Sequence, residues 1–380
     1  MKSPRNAAFL RDERGSTLPV VAIMLVVLVG MAALAIDLGI LYSARSEAQR
    51  AADAGAHAGA GVFLHAPGDE GMAREQARSY AQANPVRWEG LEVLDEDIDV
   101  ILDSMKVRVR VHRSHERGNP VATFFGRVLG ITAVDVGAVA AAQAWPSDGV
   151  NCVLPLIMPD RWSMRPYTPY EWPEAGDTFD PEEDHFYKPW GPDADQNPPP
   201  TGYGTPDRGW RIQITMYSPS DSPQPGFYYP IRLPGAQGGA DFRSAIRDCW
   251  DPDAVYEQEM EVIKEPGNMI GPTRQGFQDL IDQDPDAVWN EELNCVTDRN
   301  GSECRSSPRI RPMLMFNPED WPDIDQGAKP VTVQNFVGVF VESLEGQGDV
   351  WVRFVSYTGV NPSPEWTELS PLPRILRIVE

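Results

Sequence analysis

The sequence predicts an α+β protein: an N-terminal transmembrane helix that continues into a small α+β module, followed by a β-rich extracytoplasmic domain. Three observations carry this expectation. Leu18–Ile36 is an apolar run without a charged residue. Short segments of strict alternation follow it, such as "MKVRVRVH" (105–112), with Val107, Val109 and Val111 on one face and Lys106, Arg108 and Arg110 on the other. Beyond residue 150 the chain becomes crowded with proline, tryptophan and tyrosine, a composition of turns and irregular β structure rather than of a helical bundle.

The apolar run is nineteen residues long. At about 1.5 Å per residue it makes a helix that can cross the hydrocarbon core. Pro19 falls in the first turn, where its missing N–H costs nothing. Lys2, Arg5, Arg11 and Arg14 precede the run, against Asp12 and Glu13, so the excess of positive charge places residues 1–17 in the cytoplasm. A secretory signal peptide, cut after "ALA" (33–35), is the competing fate. The run exceeds the usual apolar core of about 7–15 residues, and a retained anchor is the expectation.

Helical character continues through "IDLGILYSARSEAQRAADAGAHAGAG" (36–61), which has no proline and is dense in alanine. Glu47 and Arg50 are spaced for a surface pair. Ala51, Ala52, Ala54, Ala56, Ala58 and Ala60 leave a smooth surface on which another helix or a sheet can pack. Asp37 lies at the outer edge of the span. It reads either as a boundary residue whose carboxylate reaches water or as a contact to a partner's transmembrane helix.

The remaining elements follow in order. Residues 71–83 form a short amphipathic helix that ends at Asn84-Pro85. Segments 91–101 and 105–112 form a hairpin. "NPVATFFGRVLG" (119–130) reads as a helix with Asn119 as N-cap, Pro120 at its first position and Gly130 at its end. Residues 131–145 return as a strand. In the C-terminal part, 208–218 and 309–317 are strands, and "VQNFVGVFVESL" with "DVWVRFVSYTG" is a buried hairpin closed by "EGQGD". A helix of about ten residues begins near Pro272 and stops before Asp284-Pro285. "DPDAV" at 251–255 and 284–288 reads as two helix starts, Asp as cap and Pro at the first position. The domains expected are 1–17, 18–36, 37–147 and 148–380.

The 380 residues carry a formal charge of −23, which repels nucleic acid and excludes it as a partner. Cys152, Cys249, Cys295 and Cys304 contain no C-x-x-C pair, so zinc ribbons and thioredoxin-type sites are not supported. An even number beyond a membrane segment suggests disulfides. Of three possible connectivities, the short spacing favours Cys295–Cys304 and leaves Cys152–Cys249.

Catalytic motifs are missing. "HERGN" (115–119) has Asn119 where a zincin needs its second histidine, and His112 and His115 read as surface residues. "DADQNP" (193–198) has Pro198 at the glycine position of a calcium loop. A calcium site among the acids at 180–184 or 323–325 is the remaining metal option. His185 is the one histidine of the second domain, too little for a triad. No enzyme activity, cofactor or small-molecule substrate is expected.

The stretch from Arg14 to Ala60 resembles the N-terminal module of TadG-like proteins, components of the tight-adherence (Flp) pilus assembly system. The shared pattern is Arg14-Gly15 before the apolar run, then Ala35-x-Asp37-x-Gly39, Tyr42 with Arg45, Gln49, and Ala51 to Ala54 around Asp53. The resemblance implies that Leu18, Ile36, Asp37, Gly39, Tyr42, Arg45, Gln49 and Asp53 serve the membrane anchor and helix packing. "PGN-x-x-GPT-x-x-G" (266–276) also resembles a segment of the extracytoplasmic part of such proteins. Residues 37–147 then resemble a pilin-like α+β module. A prepilin-type cut after Gly15 would require glutamate where Val20 stands. The resemblance implies a non-catalytic, single-pass, inner-membrane component with its bulk periplasmic or extracellular, contacting other pilus-assembly components or pseudopilins. A surface adhesin on the same anchor is the alternative.

Overall fold

The computed structural model describes residues 17–164, 171–186, 201–216, 222–267, 269–301, 303–320, 330–346, 349–362 and 373–379. The N-terminal segment with Gly15, the calcium-loop look-alike at 193–198 and the acids at 323–325 lie outside these residues. The chain divides into two compact units, residues 1–55, 78–98 and 109–140, and residues 56–77, 99–108 and 141–380.

Helix α1 (Thr17–Val62) is one continuous helix of 46 residues, as the absence of proline beyond its first turn predicts. It is long and apolar enough to cross a membrane, and its apolar window is not buried by the protein. Past Ala33 one stripe becomes covered: Asp37, Ala44, Ala48, Ala51, Ala52, Ala56 and Ala60 are buried. This is the i, i+4, i+7 spacing of one helix face. Helix α2 (Glu70–Gln82) follows, its first turn capped by Asp69, which accepts the Met72 N–H at 2.8 Å. Gly59 of α1 lies so close that an added Cβ would stand 2.9 Å from a Val107 methyl and 3.0 Å from the Ala73 carbonyl and the Ala77 methyl. Gly59→Val is therefore expected to destabilise by about 1–3 kcal/mol through overpacking, read as a lower denaturant midpoint at unchanged slope.

Strands β1 (Ile98–Ile101) and β2 (Lys106–Arg113) lie next to each other in the sheet, with Val107, Val109 and Val111 buried as the alternation requires. Residues 91–94 are not strand, and a 3₁₀ turn occupies Asp95–Asp97. The helix expected at 119–130 is not formed. Val121–Ala122 (β3) instead pairs antiparallel with Ala133–Val134 (β4), and only Gly126–Leu129 makes a 3₁₀ turn. Asn119 does not cap; its side chain accepts the Ser114 N–H at 3.0 Å. Val121, Thr123, Phe124 and Phe125 prefer extended backbone. Gly130 ends the turn at φ 82°, as its position suggested. Strand β5 (Val136–Val150) begins and ends five residues later than the expected 131–145, because Ala133–Val134 is taken by the pairing with β3. The first sheet has the order β1-β2-β5-β19-β17, where β17 is Tyr357–Thr358 and β19 is Pro373–Ile378. β9 (Tyr256–Glu257) and β18 (Asn361–Pro362) also pair with β5.

The second sheet is built from β6 (Leu156–Pro159), β7 (Arg211–Met216), β8 (Phe227–Arg232), β10 (Glu261–Lys264), β13 (Ile310–Phe316), β14 (Pro330–Thr332), β15 (Asn335–Glu345) and β16 (Asp349–Val355). Six of these close into a ring, β8-β6-β13-β15-β16-β7 and back to β8, so each of them has a strand partner on both sides over part of its length. One apolar cluster joins Met313, Met315, Val337 and Val352 to Phe242 and Ile246 of α3 (Gly238–Arg247) and to Phe277 and Leu280 of α4 (Ile270–Asp282). Helix α3 had no counterpart in the sequence reading. Gly276 brings α4 against α3, where an added Cβ would meet Ile246 at 2.8 Å, which gives the "GPT-x-x-G" run a packing role. The two "DPDAV" segments are turns, not helix starts: the Asp251 carboxylate accepts the Asp253 N–H, and Asp284 accepts from Arg305 and Ser307. A small hairpin, β11 (Val288–Asn290) with β12 (Cys295–Thr297), completes the unit.

Cys152–Cys249 and Cys295–Cys304 stand at bonding distance, 2.03 and 2.01 Å between sulfurs. Arg309 is a polar hub within the second unit. It is buried and donates to the carbonyls of Val341, Glu342, Asp284 and Ala287.

Asp160, at the end of β6, is fully enclosed and accepts N–H groups of Tyr203 at 2.7 Å and Arg161 at 2.9 Å and the Asn335 amide at 3.0 Å. Burial pushes its carboxyl up to about 6, against those donors and Arg161, which favour the ionised form. Because the folded value is above the unfolded one, the folded state binds the proton more tightly between them. Stability at this site is therefore gained as pH falls from about 7 to about 4, by on the order of 2–3 kcal/mol. The difference in unfolding free energy between the native protein and Asp160→Asn, followed across that range, should carry this slope. A flat difference would contradict it.

Candidate functional site

The most specific feature of the first unit lies where the apolar stretch of α1 ends. Asp37 turns inward and is 6 % exposed. Its Oδ1 accepts the Phe124 N–H at 2.8 Å and the Phe125 N–H at 3.2 Å; its Oδ2 accepts Phe125 at 3.0 Å and Gly126 at 2.5 Å. A carboxylate with two oxygens can serve three successive donors; a hydroxyl cannot. The 123–132 loop closes on itself at the same place, with Thr123 N–H on Thr132 O, Thr123 Oγ1 on Ile131 O at 2.5 Å and Ile131 N–H on Gly126 O. Asp37 is thus neither a solvated boundary residue nor free to meet another helix with both oxygens. It clasps a loop of its own chain to the root of the helix.

Further along α1, Gln49 donates to Asp53 at 2.9 Å and to the Val139 carbonyl of β5 at 3.2 Å. Gln49 thereby ties the helix to the sheet, with its amide held by Asp53. Tyr42, 79 % exposed, and Arg45 are left uncovered by the protein, as are Leu18 and Ile36, and nothing lies within 4 Å of a Cβ added at Gly39. The structure therefore divides the sequence-named positions. Asp37, Gln49 and Asp53 hold the unit together, while Leu18, Ile36, Gly39, Tyr42 and Arg45 are left on open surface.

Three anchors escaped the sequence reading. Glu47 does not take Arg50 as a salt-bridge partner at contact distance. It accepts the Ser43 hydroxyl at 3.0 Å and the Arg87 N–H at 2.6 Å, and the Arg87 N–H is the largest cause holding its carboxyl below the usual range. Arg87 and Trp88 both have positive φ, 54° and 67°, a conformation that side chains of this size rarely adopt. The turn leaves Trp88 91 % exposed. Arg113 is buried and donates to Asn119 O and Val86 O, both at 2.8 Å, and pairs with Glu89. Arg117 grips Asp97 with both terminal nitrogens, at 2.6 and 2.7 Å. Burial works to raise the Asp97 carboxyl, but the Arg117 guanidinium and the Leu94 N–H outweigh it and hold it low. The contacts of Glu47 with Arg87, of Arg113 with Val86 and Glu89 and of Arg117 with Asp97 join residues remote in sequence, so no local spacing announces them.

Among the described residues no group of three histidine, cysteine or acidic side chains is arranged to hold a metal ion. His115 of the zincin-like stretch contacts Asp135. No curated protein and no solved structure matches the chain. Residues 15–62, a stretch that includes the apolar run, Asp37 and the Gln49–Asp53 pair, match the family model described as Tad, putative Flp pilus-assembly TadE/G-like, so the N-terminal module of this chain is TadE/G-like.

Proposed function

We propose that the protein is a non-catalytic, single-pass component of Flp pilus assembly in the inner membrane, with its N-terminus cytoplasmic and the bulk of the chain beyond residue 36 on the outer side. The observation that carries the reading is the coincidence of the TadE/G-like match at 15–62 with one uninterrupted helix, bare and apolar in its first half and packed by its own chain in its second. In this role α1 meets assembly-platform or pseudopilin helices through the bare half, where Gly30 has no atom within 4 Å of an added Cβ. Residues 37–147 act as a pilin-like module held next to the bilayer, and the ring of strands presents its loops to other periplasmic parts. No cofactor or small-molecule substrate takes part.

Deletion of the gene, complemented by the full chain, tests this. Loss of Flp pili restored by the full chain, but not by a chain whose residues 18–36 are replaced with an unrelated transmembrane helix, is expected. Normal piliation in the deletion strain, with adherence alone lost, would instead assign a surface-binding role. Reporter fusions at both termini check the orientation.

A further inference from the structure

The loop clasped by Asp37 is apolar outward. Phe124 is 70 % exposed, Val128 87 %, Leu129 79 % and Ile131 50 %. So many large apolar side chains on one short loop exceed what a water-facing surface carries by chance. We propose that residues 124–131 form a second membrane contact, inserted into the outer-leaflet interface beside α1; this rests on the anchoring reading above.

Three further observations favour lipid as the occupant. The first is depth. Asp37 follows directly on the apolar run, so the clasp fixes the loop at the level where that run leaves the bilayer. The covered stripe of α1 starts deeper still, at half-buried Ala33, whose neighbours at 29–32 and 34–36 are exposed. The second is polarity. The N–H groups of residues 123, 124, 125, 126, 128, 130 and 131 all have acceptors inside the protein. Satisfied backbone is what a segment needs in order to leave water. The third is charge. Arg127 is the sole charged residue from 123 to 132 and is exposed, and its stem can lie among the apolar side chains while the guanidinium reaches lipid phosphate. The chain as a whole carries −23, so a basic apolar loop is out of keeping with the remaining surface and in keeping with a headgroup layer.

The fold consequence is a two-point footing. A single helix fixes depth but leaves rotation about its own axis free. A wedge clasped to its root, about 5–10 Å into the interface, fixes which face of α1 meets neighbouring helices.

Single cysteines introduced into the full chain test this directly, because all four native cysteines are paired. Leu129→Cys, Val27→Cys in the apolar run and Glu116→Cys on an exposed turn of the same unit are labelled with an environment-sensitive fluorophore. They are then reconstituted in phosphatidylcholine vesicles. The Leu129 label is expected to be quenched roughly twofold or more above the Glu116 label by a nitroxide high on the acyl chain, and to be shielded from aqueous iodide. The Val27 label is expected to respond to a nitroxide near the bilayer centre. A Leu129 label as open to iodide as the Glu116 label, with Val27 quenched, overturns the loop contact and leaves the anchor standing. If Val27 is not quenched either, both fall. Shielding of Leu129 from iodide without nitroxide quenching assigns the loop to a contact with this chain itself or a second copy of it and overturns lipid as the occupant.

Discussion

Asp37→Ala is expected to release the 124–126 segment from the root of α1. Three backbone donors lose their acceptor together, and the substituted methyl offers none. Hydrogen–deuterium exchange at Phe124, Phe125 and Gly126 should accelerate roughly tenfold or more, with amides of the ring of strands unaffected. Asp37→Asn should fall between, because one acceptor oxygen remains where two now divide the three donors. The exchange pattern separates this account from the alternatives that the sequence leaves open. A boundary residue would change nothing on substitution. A contact to a partner helix would alter piliation without altering exchange in the isolated protein. If the clasp orients α1 in the membrane, Asp37→Ala also lowers piliation at normal abundance, and unchanged exchange at all three amides would rule the clasp out.

The second large effect concerns Cys152–Cys249. This pair is 97 residues apart in sequence, the Cys295–Cys304 pair nine. In the chain-entropy account, cross-linking the longer loop removes more freedom from the unfolded chain. Cys152→Ser with Cys249→Ser should cost about 4–5 kcal/mol, and the Cys295/Cys304 double variant about 2.5–3 kcal/mol. The long bridge joins the segment after β5 to the end of α3, where Arg311 donates to the Cys152 and Asp248 carbonyls at 3.0 and 2.8 Å. Its loss therefore also loosens that polar contact. Guanidinium unfolding of the detergent-solubilised protein measures both, and equal or inverted costs would contradict the loop-length argument.

The elements that sequence reading located well are those whose pattern is local. Val107, Val109 and Val111 alternate and are buried on one face. Asn335–Glu345 and Asp349–Val355 are dense in β-branched and aromatic residues and pair as β15 with β16. The long α1 needed only an apolar run, alanine and the absence of a breaker. Where reading failed, a distant group supplied the deciding hydrogen bond. Asn119-Pro120 has the form of a helix start, yet the N–H groups that would have begun the helix are taken by Asp37. Each Asp-Pro-Asp stretch has the same form, yet Asp284 is occupied by Arg305 and Ser307 from a later segment. Glu47 has Arg50 at helical spacing, yet the Arg87 amide reaches it with better geometry. In each case a local preference worth a fraction of a kcal/mol to about 1 kcal/mol gave way to charge-assisted bonds of greater strength.

The sequence by itself determined the long apolar run, its continuation as an alanine-faced helix, the strands of the buried hairpins and the TadE/G-like character of residues 15–62, because helix and strand periodicities are written within a few residues. Only the tertiary structure decided that Asp37 grips a loop, that Tyr42, Arg45 and Gly39 stay on open surface while Gln49, held by Asp53, reaches the sheet, and that six strands close into a ring. Those outcomes depend on which remote N–H, carboxylate or methyl arrives at a given side chain, and chain folding in three dimensions sets that where no local spacing can.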